Sequence, residues 1–233
     1  LKYETTIQTI IQQAPNVLSI RFPRATDLNY KPGQFFVVTL KKDDKDISHY
    51  FSFSSSPTEQ DHIEFTKKLS DSEYSQALRA AKPGDYAKID GPYGQFTFEG
   101  EYPKVALLGG GIGITPFISY VRNATDKALD SKIVLFYSNR TLNDIVFRAE
   151  FEELQERNSN FKAVFTLSEA SPDWKGKVGR ITMDMIKQEL PDFAEYIYYA
   201  CGPPPMVKAM QELVESLGLP KEKLKLEQFT GYT

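Results

Sequence analysis

Residues 105–116, Val-Ala-Leu-Leu-Gly-Gly-Gly-Ile-Gly-Ile-Thr-Pro, carry an apolar strand directly into a glycine turn and then into the start of a helix. The consecutive glycines Gly109, Gly110 and Gly111, followed by Gly113, let the backbone take positive φ and let another group approach the main chain closely. A helix opening near Thr115 exposes unbonded amide N–H groups and a positive dipole end, so an anion is stabilised there by the backbone alone. Pro116 suits the first helical turn because the N–H it lacks would have no partner in any case. The spacing Gly111-x-Gly113-x-x-Pro116 departs from the three-glycine dinucleotide fingerprint. Taken alone, the stretch fits either a phosphate seat or a tight strand-to-helix turn.

The chain on either side of this turn has two different periodicities. From Tyr3 to Phe98, short β-rich runs alternate with turn signals such as Lys31-Pro32-Gly33, Lys82-Pro83-Gly84-Asp85 and Gly91-Pro92-Tyr93-Gly94. Even spacing of this kind predicts an antiparallel barrel or sandwich. The expected strands are Tyr3–Gln12, Val17–Phe22, Gln34–Leu40, His49–Phe53, His62–Lys68, Tyr86–Asp90 and Gln95–Phe98, interrupted by one helix over Ser75–Ala81. After Glu101-Tyr102-Pro103 the pattern becomes strands (Val105–Leu108, Ile133–Ser138, Phe161–Leu167, Tyr196–Ala200) alternating with helices (Pro116–Ala124, Ile145–Arg157, Thr182–Leu190, Pro205–Leu217). That alternation predicts a parallel sheet with helices on both faces. The expected organisation is therefore two domains: an antiparallel β-barrel over 1–101, then an α/β Rossmann-like parallel-sheet domain over 102–233.

Composition narrows the partners. A net charge of −3 without a clustered basic run argues against nucleic acid. No apolar stretch reaches the roughly 20 residues a membrane span needs, and the first residues lack a signal peptide's plan, so a cytoplasmic location is the default expectation. The single cysteine, Cys201, excludes an intrachain disulfide, a multi-cysteine zinc site and a cysteine-held iron–sulfur cluster within this chain. No metal site is expected.

Two further segments carry chemistry. In His49-Tyr50-Phe51-Ser52-Phe53-Ser54-Ser55-Ser56-Pro57, strand alternation puts His49, Phe51 and Phe53 on one face and Tyr50, Ser52 and Ser54 on the other. Cys201-Gly202-Pro203-Pro204-Pro205-Met206 ends a strand that its prolines stop. Both it and Gly109–Pro116 fall at strand carboxyl ends, where a parallel sheet binds ligands, so the two segments can line one cleft.

The ordered set of aromatic-Ser followed by SSSP, then KPGD, GPYG, GGGIGITP, CGPPPM and a closing EQF resembles the ferredoxin-NADP reductase family, from about Gln34 to Phe229. The resemblance implies a flavin-binding barrel followed by a nicotinamide-binding α/β domain, with FAD and NAD(P)H as cofactors. In the family's Arg-x-Tyr-Ser motif the ring stacks on the isoalloxazine, the serine reaches toward flavin N5, and the arginine holds the flavin phosphates. Here those places are taken by Phe51, Ser52 and His49, with Tyr50 between them on the same strand. Phe51 keeps a stacking face. His49 lacks a permanently charged fork, so its phosphate contact is weaker or supplied elsewhere, and plain strand packing remains open for it. Phe65, Thr66 and Lys67 resemble the strand beside the ribityl and phosphate chain. Ser72 to Ser75 matches the family's Gly-x-x-Ser/Thr segment with serine for glycine; Ser75 is also a natural N-cap.

On the nicotinamide side, the resemblance implies pyrophosphate contacts from Gly110, Gly111, Gly113, Thr115 and Pro116. Cys201 would lie against nicotinamide C4, with Gly202, Pro203 and Met206 shaping the cleft. Phe229 would shield the second flavin face, with Tyr232 the next candidate, and Glu227 would belong to the proton-handling or electron-exit region. Ser168-Glu169 replaces the Ser-Arg pair common in NADP-specific members, and a carboxylate beside a 2′-phosphate repels it, which favours NADH. Asn139-Arg140 follows the preceding strand, and Arg140 is the residue able to hold that phosphate. The expected activity is hydride transfer from NAD(P)H to flavin N5, then release of electrons to a separate acceptor such as a ferredoxin, flavodoxin or oxygenase component. The alternatives are a reductase of free flavin and a non-catalytic nucleotide-binding electron-transfer or regulatory subunit.

Overall fold

A computed structural model describes residues 1–229. The amino-terminal half forms strands β1 (Lys2–Thr6), β2 (Thr9–Ala14), β3 (Val17–Pro23), β4 (Phe35–Lys42), β5 (Lys45–Ser52) and β6 (His62–Lys68), helix α1 (Glu73–Ala80) and strand β7 (Tyr86–Tyr93). They make two antiparallel sheets, ordered β1-β7-β4-β5 and β2-β3-β6. Their inward side chains, including Ile20, Phe22, Phe36, Val38, Phe53, Phe65 and Ile89, form one buried cluster.

The expected single strand Tyr3–Gln12 is two strands belonging to different sheets. The break falls at Ile7, whose side chain is buried in the barrel core and whose amide donates to the Asp85 carbonyl at 2.9 Å, turning the chain from one sheet to the other. Gln95–Phe98 is not a strand. Phe96 and Phe98 are instead buried against Tyr120 and Tyr199, and aromatic packing replaces ladder pairing. Helix α1 begins earlier than expected, and its cap is Ser72, whose hydroxyl accepts from the Ser75 amide at 3.2 Å. Ser75 lies inside the helix.

The second half contains β8 (Lys104–Gly110), α2 (Thr115–Asp126), β9 (Lys132–Asn139), α3 (Arg148–Arg157), β10 (Phe161–Leu167), β11 (Lys177–Val178), α4 (Met183–Glu189), β12 (Ile197–Gly202), α5 (Pro204–Ser216) and β13 (Leu224–Gln228). Six strands form a parallel sheet ordered β11-β10-β9-β8-β12-β13. Along β8, Val105 and Leu107 pack into one cluster with Phe117, Tyr120 and Tyr199, while Ala106 and Leu108 pack into another with Phe136, Tyr198 and Val214. Burial on both faces explains why the strand reads as an uninterrupted apolar run. Strands β11 and β13 were not expected, and both are short edges. Among the described residues no helix is long and apolar enough to cross a membrane.

Helix α2 fastens this sheet to the barrel. The Ser119 hydroxyl donates to the Ser55 carbonyl at 2.6 Å, and the Tyr120 hydroxyl to that of Phe96 at 2.7 Å. Arg122, almost fully buried, donates to the Ser54 carbonyl at 2.7 Å and to Glu150 at 2.5 and 2.9 Å. Barrel residues Glu64 and Glu59 lie 3.4 and 3.7 Å from the same guanidinium.

Candidate active site: two adjoining clefts

The glycine turn is the floor of the larger cleft. Strand β8 ends at Gly110, a single 3-10 turn spans Gly111–Ile114, and α2 follows with Pro116 in its first turn. The glycines serve different ends. Gly111 has φ +53° with open space where a Cβ would be, and it faces the cleft. A Cβ on Gly113 would collide with the Cys201 carbonyl, so this glycine lets the turn pack against β12. A Cβ on Gly110 would meet the Met206 sulfur.

The cleft above this floor has a volume of about 660 Å³. Gly110, Gly111, Asn139, Arg140, Pro203 and Met206 line it, bringing together expected residues from three strand ends. Asn139 is buried with both side-chain amide atoms lacking a hydrogen-bond partner among the described residues. Burying an amide unpaired is costly, and a polar ligand would satisfy it. Arg140 donates to Glu169 at 2.7 Å across the exposed rim, which holds its pKa above the ordinary value. Further lining comes from residues not expected to bind: Arg180, and from the barrel Lys68 and the β2–β3 hairpin tip Ala14–Val17. Spatial closeness is the only signal for these; the hairpin reaches the cleft from more than 90 residues upstream of Gly110.

A second cleft of about 250 Å³ opens between the barrel and β13. Its walls are Phe35, His49, Tyr50, Phe51, Ser52 and Thr66 from the barrel, Thr115 from the start of α2, and Glu227, Gln228 and Phe229. Phe51 stacks on Phe65 with ring centroids 4.1 Å apart, and the His49 ring lies 4.8 Å from Phe51. Burial, with the nearby Lys67 charge, lowers the His49 pKa, while a hydrogen bond to the Tyr50 carbonyl at 2.8 Å opposes the shift. The shift favours the neutral imidazole, which supplies no fixed positive charge. Lys67, one residue past Thr66, is buried, and its amine is pulled down to about 8 by desolvation. Its Nζ lies 5.9 Å from the Phe51 ring centre. Burial also raises the Glu227 carboxyl above its usual range. Thr66 anchors a buried hydroxyl chain, 2.9 Å from Ser54 and 2.6 Å from Ser19.

Several expected residues lie off both clefts. Cys201 is fully buried because its position on β12 faces the Leu107 and Tyr199 cluster, and burial pushes its thiol well up. Its carbonyl is what faces Gly113 in the glycine turn. Phe65 sits behind Phe51 in the barrel core; Ser72 and Ser75 bond to each other and to Ser70 at the start of α1. Gly113, Pro116 and Gly202 support the turn from behind, and Gly202 accepts from the Phe229 amide at 3.0 Å, which fixes that residue beside the second cleft. Thr115 faces the smaller cleft, not the glycine one. Tyr232 lies outside the described residues.

The donor sets suit the two expected groups. The smaller cleft offers a flat aromatic wall, hydroxyls and an adjacent buried amine, appropriate to a flavin ring and its phosphate chain. The larger offers exposed backbone amides, an unsatisfied amide side chain and cations, appropriate to an adenine dinucleotide.

Comparison with known proteins agrees. The oxidoreductase FAD-binding domain matches residues 4–98, and the oxidoreductase NAD-binding domain matches residues 107–212. The NADH-cytochrome b5 reductase 1 of Mortierella alpina is 31% identical over 215 residues, covering 89% of this chain and 72% of that protein. The reductase component of propane 2-monooxygenase from Rhodococcus jostii is 30% identical over 237 residues, and the alignment covers 97% of this chain but 63% of that longer protein. Among solved structures, the cytochrome b5 reductase domain of Ulva prolifera nitrate reductase shares the fold with a TM-score of 0.85, at 24% identity and 97% coverage of each chain. A ferredoxin NADP+ reductase from Neisseria gonorrhoeae, solved with FAD and NADP, superposes at TM-score 0.83 with 19% identity, covering 97% of this chain and 98% of that one.

Proposed function

Since this chain belongs to the ferredoxin reductase family of NAD(P)H-dependent flavoprotein oxidoreductases, we propose that it accepts hydride from NADH into a tightly held FAD and passes the electrons to a separate acceptor protein. The observation that carries the reading is the junction of the two clefts: Gly111 and Ile112 line the larger one, and Thr115, three residues on, lines the smaller. A dinucleotide seated on the glycine turn thus has its far end within reach of the aromatic cleft.

Bound FAD would supply the chemistry, a two-electron acceptor that also donates one electron at a time. The chain's own residues bind, align and exclude water. Phe51 provides the stacking wall, and Ser52, which lines the same cleft, would offer its hydroxyl to the bound ring. Lys67 takes over the phosphate charge that His49 does not carry. Phe229, which lines the same cleft from the β13 side, would shield the second ring face and would have to yield before a nicotinamide ring stacks. Glu227, a partly buried carboxyl whose pKa is raised by burial, would serve the proton balance of re-oxidation. Cys201 acts through its backbone, holding the glycine turn in place.

Preference for NADH rests on Glu169, which both repels a 2′-phosphate and occupies Arg140. The acceptor is a redox protein of the kind named in the relatives: a cytochrome or an oxygenase component. The test is anaerobic stopped-flow reduction of the FAD-loaded chain. The flavin absorbance should bleach faster with NADH than with NADPH, and electrons should then pass to an added artificial acceptor. A chain that does not retain FAD through gel filtration, or that is not bleached by either nucleotide, overturns the proposal.

A further inference from the structure

The larger cleft presents two arginines, and they are not equivalent. Arg140 is engaged by Glu169 at 2.7 Å, so this part of the rim contributes no net charge. Asp144, close by, caps the next turn by accepting from the Thr141 amide and hydroxyl at 3.0 and 2.6 Å, and adds a negative charge to the same wall. Arg180, on the loop between β11 and α4, has no ion pair or side-chain hydrogen bond among the described residues. Its backbone is fixed on both sides. Preceding it, the Gly179 amide donates to the Leu167 carbonyl at 2.8 Å and the Gly179 carbonyl accepts from Thr166 at 2.7 Å; following it, Ile181 is buried in the sheet's outer core. An arginine mounted on a rigid base, uncommitted, and facing a cleft floored by helix-start amides is suited to a phosphate, for which its planar fork is the best side-chain partner.

We infer that Arg180, and not Arg140, supplies the side-chain charge that holds a phosphate of the nucleotide's adenosine portion in the larger cleft. The inference rests on the dinucleotide reading above and adds a specificity-determining residue to it. Arg140 then serves as the tether that keeps Glu169 in position at the rim. The shared chemistry is a phosphate on adenosine, with two sources: the pyrophosphate, represented by 5′-ADP, and the ribose phosphate of NADPH, represented by 2′-AMP.

Isothermal titration of the FAD-loaded protein with these two probes tests it. Arg180→Gln should weaken one of them about tenfold, the scale of a lost charge-assisted contact. Arg180→Lys should recover part of the loss, and Arg140→Gln should change that probe less than about twofold, as expected of an arginine already neutralised at an exposed rim. A loss confined to 5′-ADP assigns Arg180 to the pyrophosphate, and a loss confined to 2′-AMP assigns it to the ribose phosphate; either supports the inference. Retention of stoichiometric FAD by each variant shows that the fold is intact. Unchanged binding of both probes by Arg180→Gln, or an equal loss in Arg140→Gln, overturns the inference. Failure of the parent protein to bind 5′-ADP, 2′-AMP and NAD+ alike overturns the dinucleotide reading instead.

Discussion

The two clefts are built on opposite plans. The larger is floored by backbone: glycines with nothing projecting, and amides at the start of a helix. The smaller is walled by side chains from three barrel strands, with an aromatic stack, hydroxyls and a buried amine. A backbone floor recognises a phosphate whatever carries it, whereas a side-chain wall is shaped to one ring. On the proposed function, the backbone floor would take the nucleotide and the side-chain wall the flavin.

That contrast can be broken or sharpened in four ways, beginning with the clamp that keeps the clefts adjacent. Replacing Arg122 with Met leaves Glu64 and Glu150 without the charge they surround, and should cost about 3 kcal/mol or more of stability, measured by urea unfolding. Next in size is the glycine floor. Gly113→Ala drives a methyl into the Cys201 carbonyl and should cost about 2 kcal/mol with loss of NAD+ binding while FAD is retained, whereas Gly111→Ala should cost only about 1 kcal/mol for its left-handed backbone. Equal loss of both ligands in Gly113→Ala would merge the two plans into one.

The third test separates the clefts by pH. In the FAD-free protein the Lys67 amine loses its proton above about 8, and a phosphate needs it charged, so apoprotein affinity for FAD should fall about tenfold between pH 8 and 9.5, measured by quenching of flavin fluorescence. Lys67→Met should flatten that dependence. The sign for stability is opposite: in the FAD-free protein the folded amine binds fewer protons than the unfolded one between about 8 and 10.5, so thermal stability should rise with pH across that window. The smallest effect is at the exposed rim, where Glu169→Gln should improve 2′-AMP binding about threefold by releasing Arg140 and removing a repelling charge. No gain would move nucleotide discrimination elsewhere in the cleft.

Both plans were legible in part: His49, Tyr50, Phe51, Ser52, Thr66, Glu227 and Phe229 do meet around the smaller cleft. A glycine turn after an apolar strand is a local signal, and Gly110, Gly111, Asn139, Arg140, Pro203 and Met206 meet in one cleft as expected. Side-chain walls depend on strand pairing across long separations. His49 and Phe51 were placed on one face correctly by alternation, yet Lys68, Arg180 and the β2–β3 hairpin join the larger cleft only through folding. The Cys201 side chain could not be placed for a related reason: proximity in the chain to a turn does not say which sheet face a side chain takes, and here alternation turns it into the core. Ile7 hid the break between β1 and β2 because a corner residue buried between two sheets looks, in sequence, like one more strand position.

Helix α2 finally bears on how such proteins can be recombined. Its first turn belongs to the nucleotide floor, but Ser119, Tyr120 and Arg122 all bond to barrel residues, and Asp126 accepts from Thr58. A chimera joined near residue 102, where the periodicity changes, would give the barrel a foreign helix lacking those matched partners. Grafts that carry α2's barrel-facing side chains along with the barrel should yield functional hybrids far more often than grafts cut at the linker.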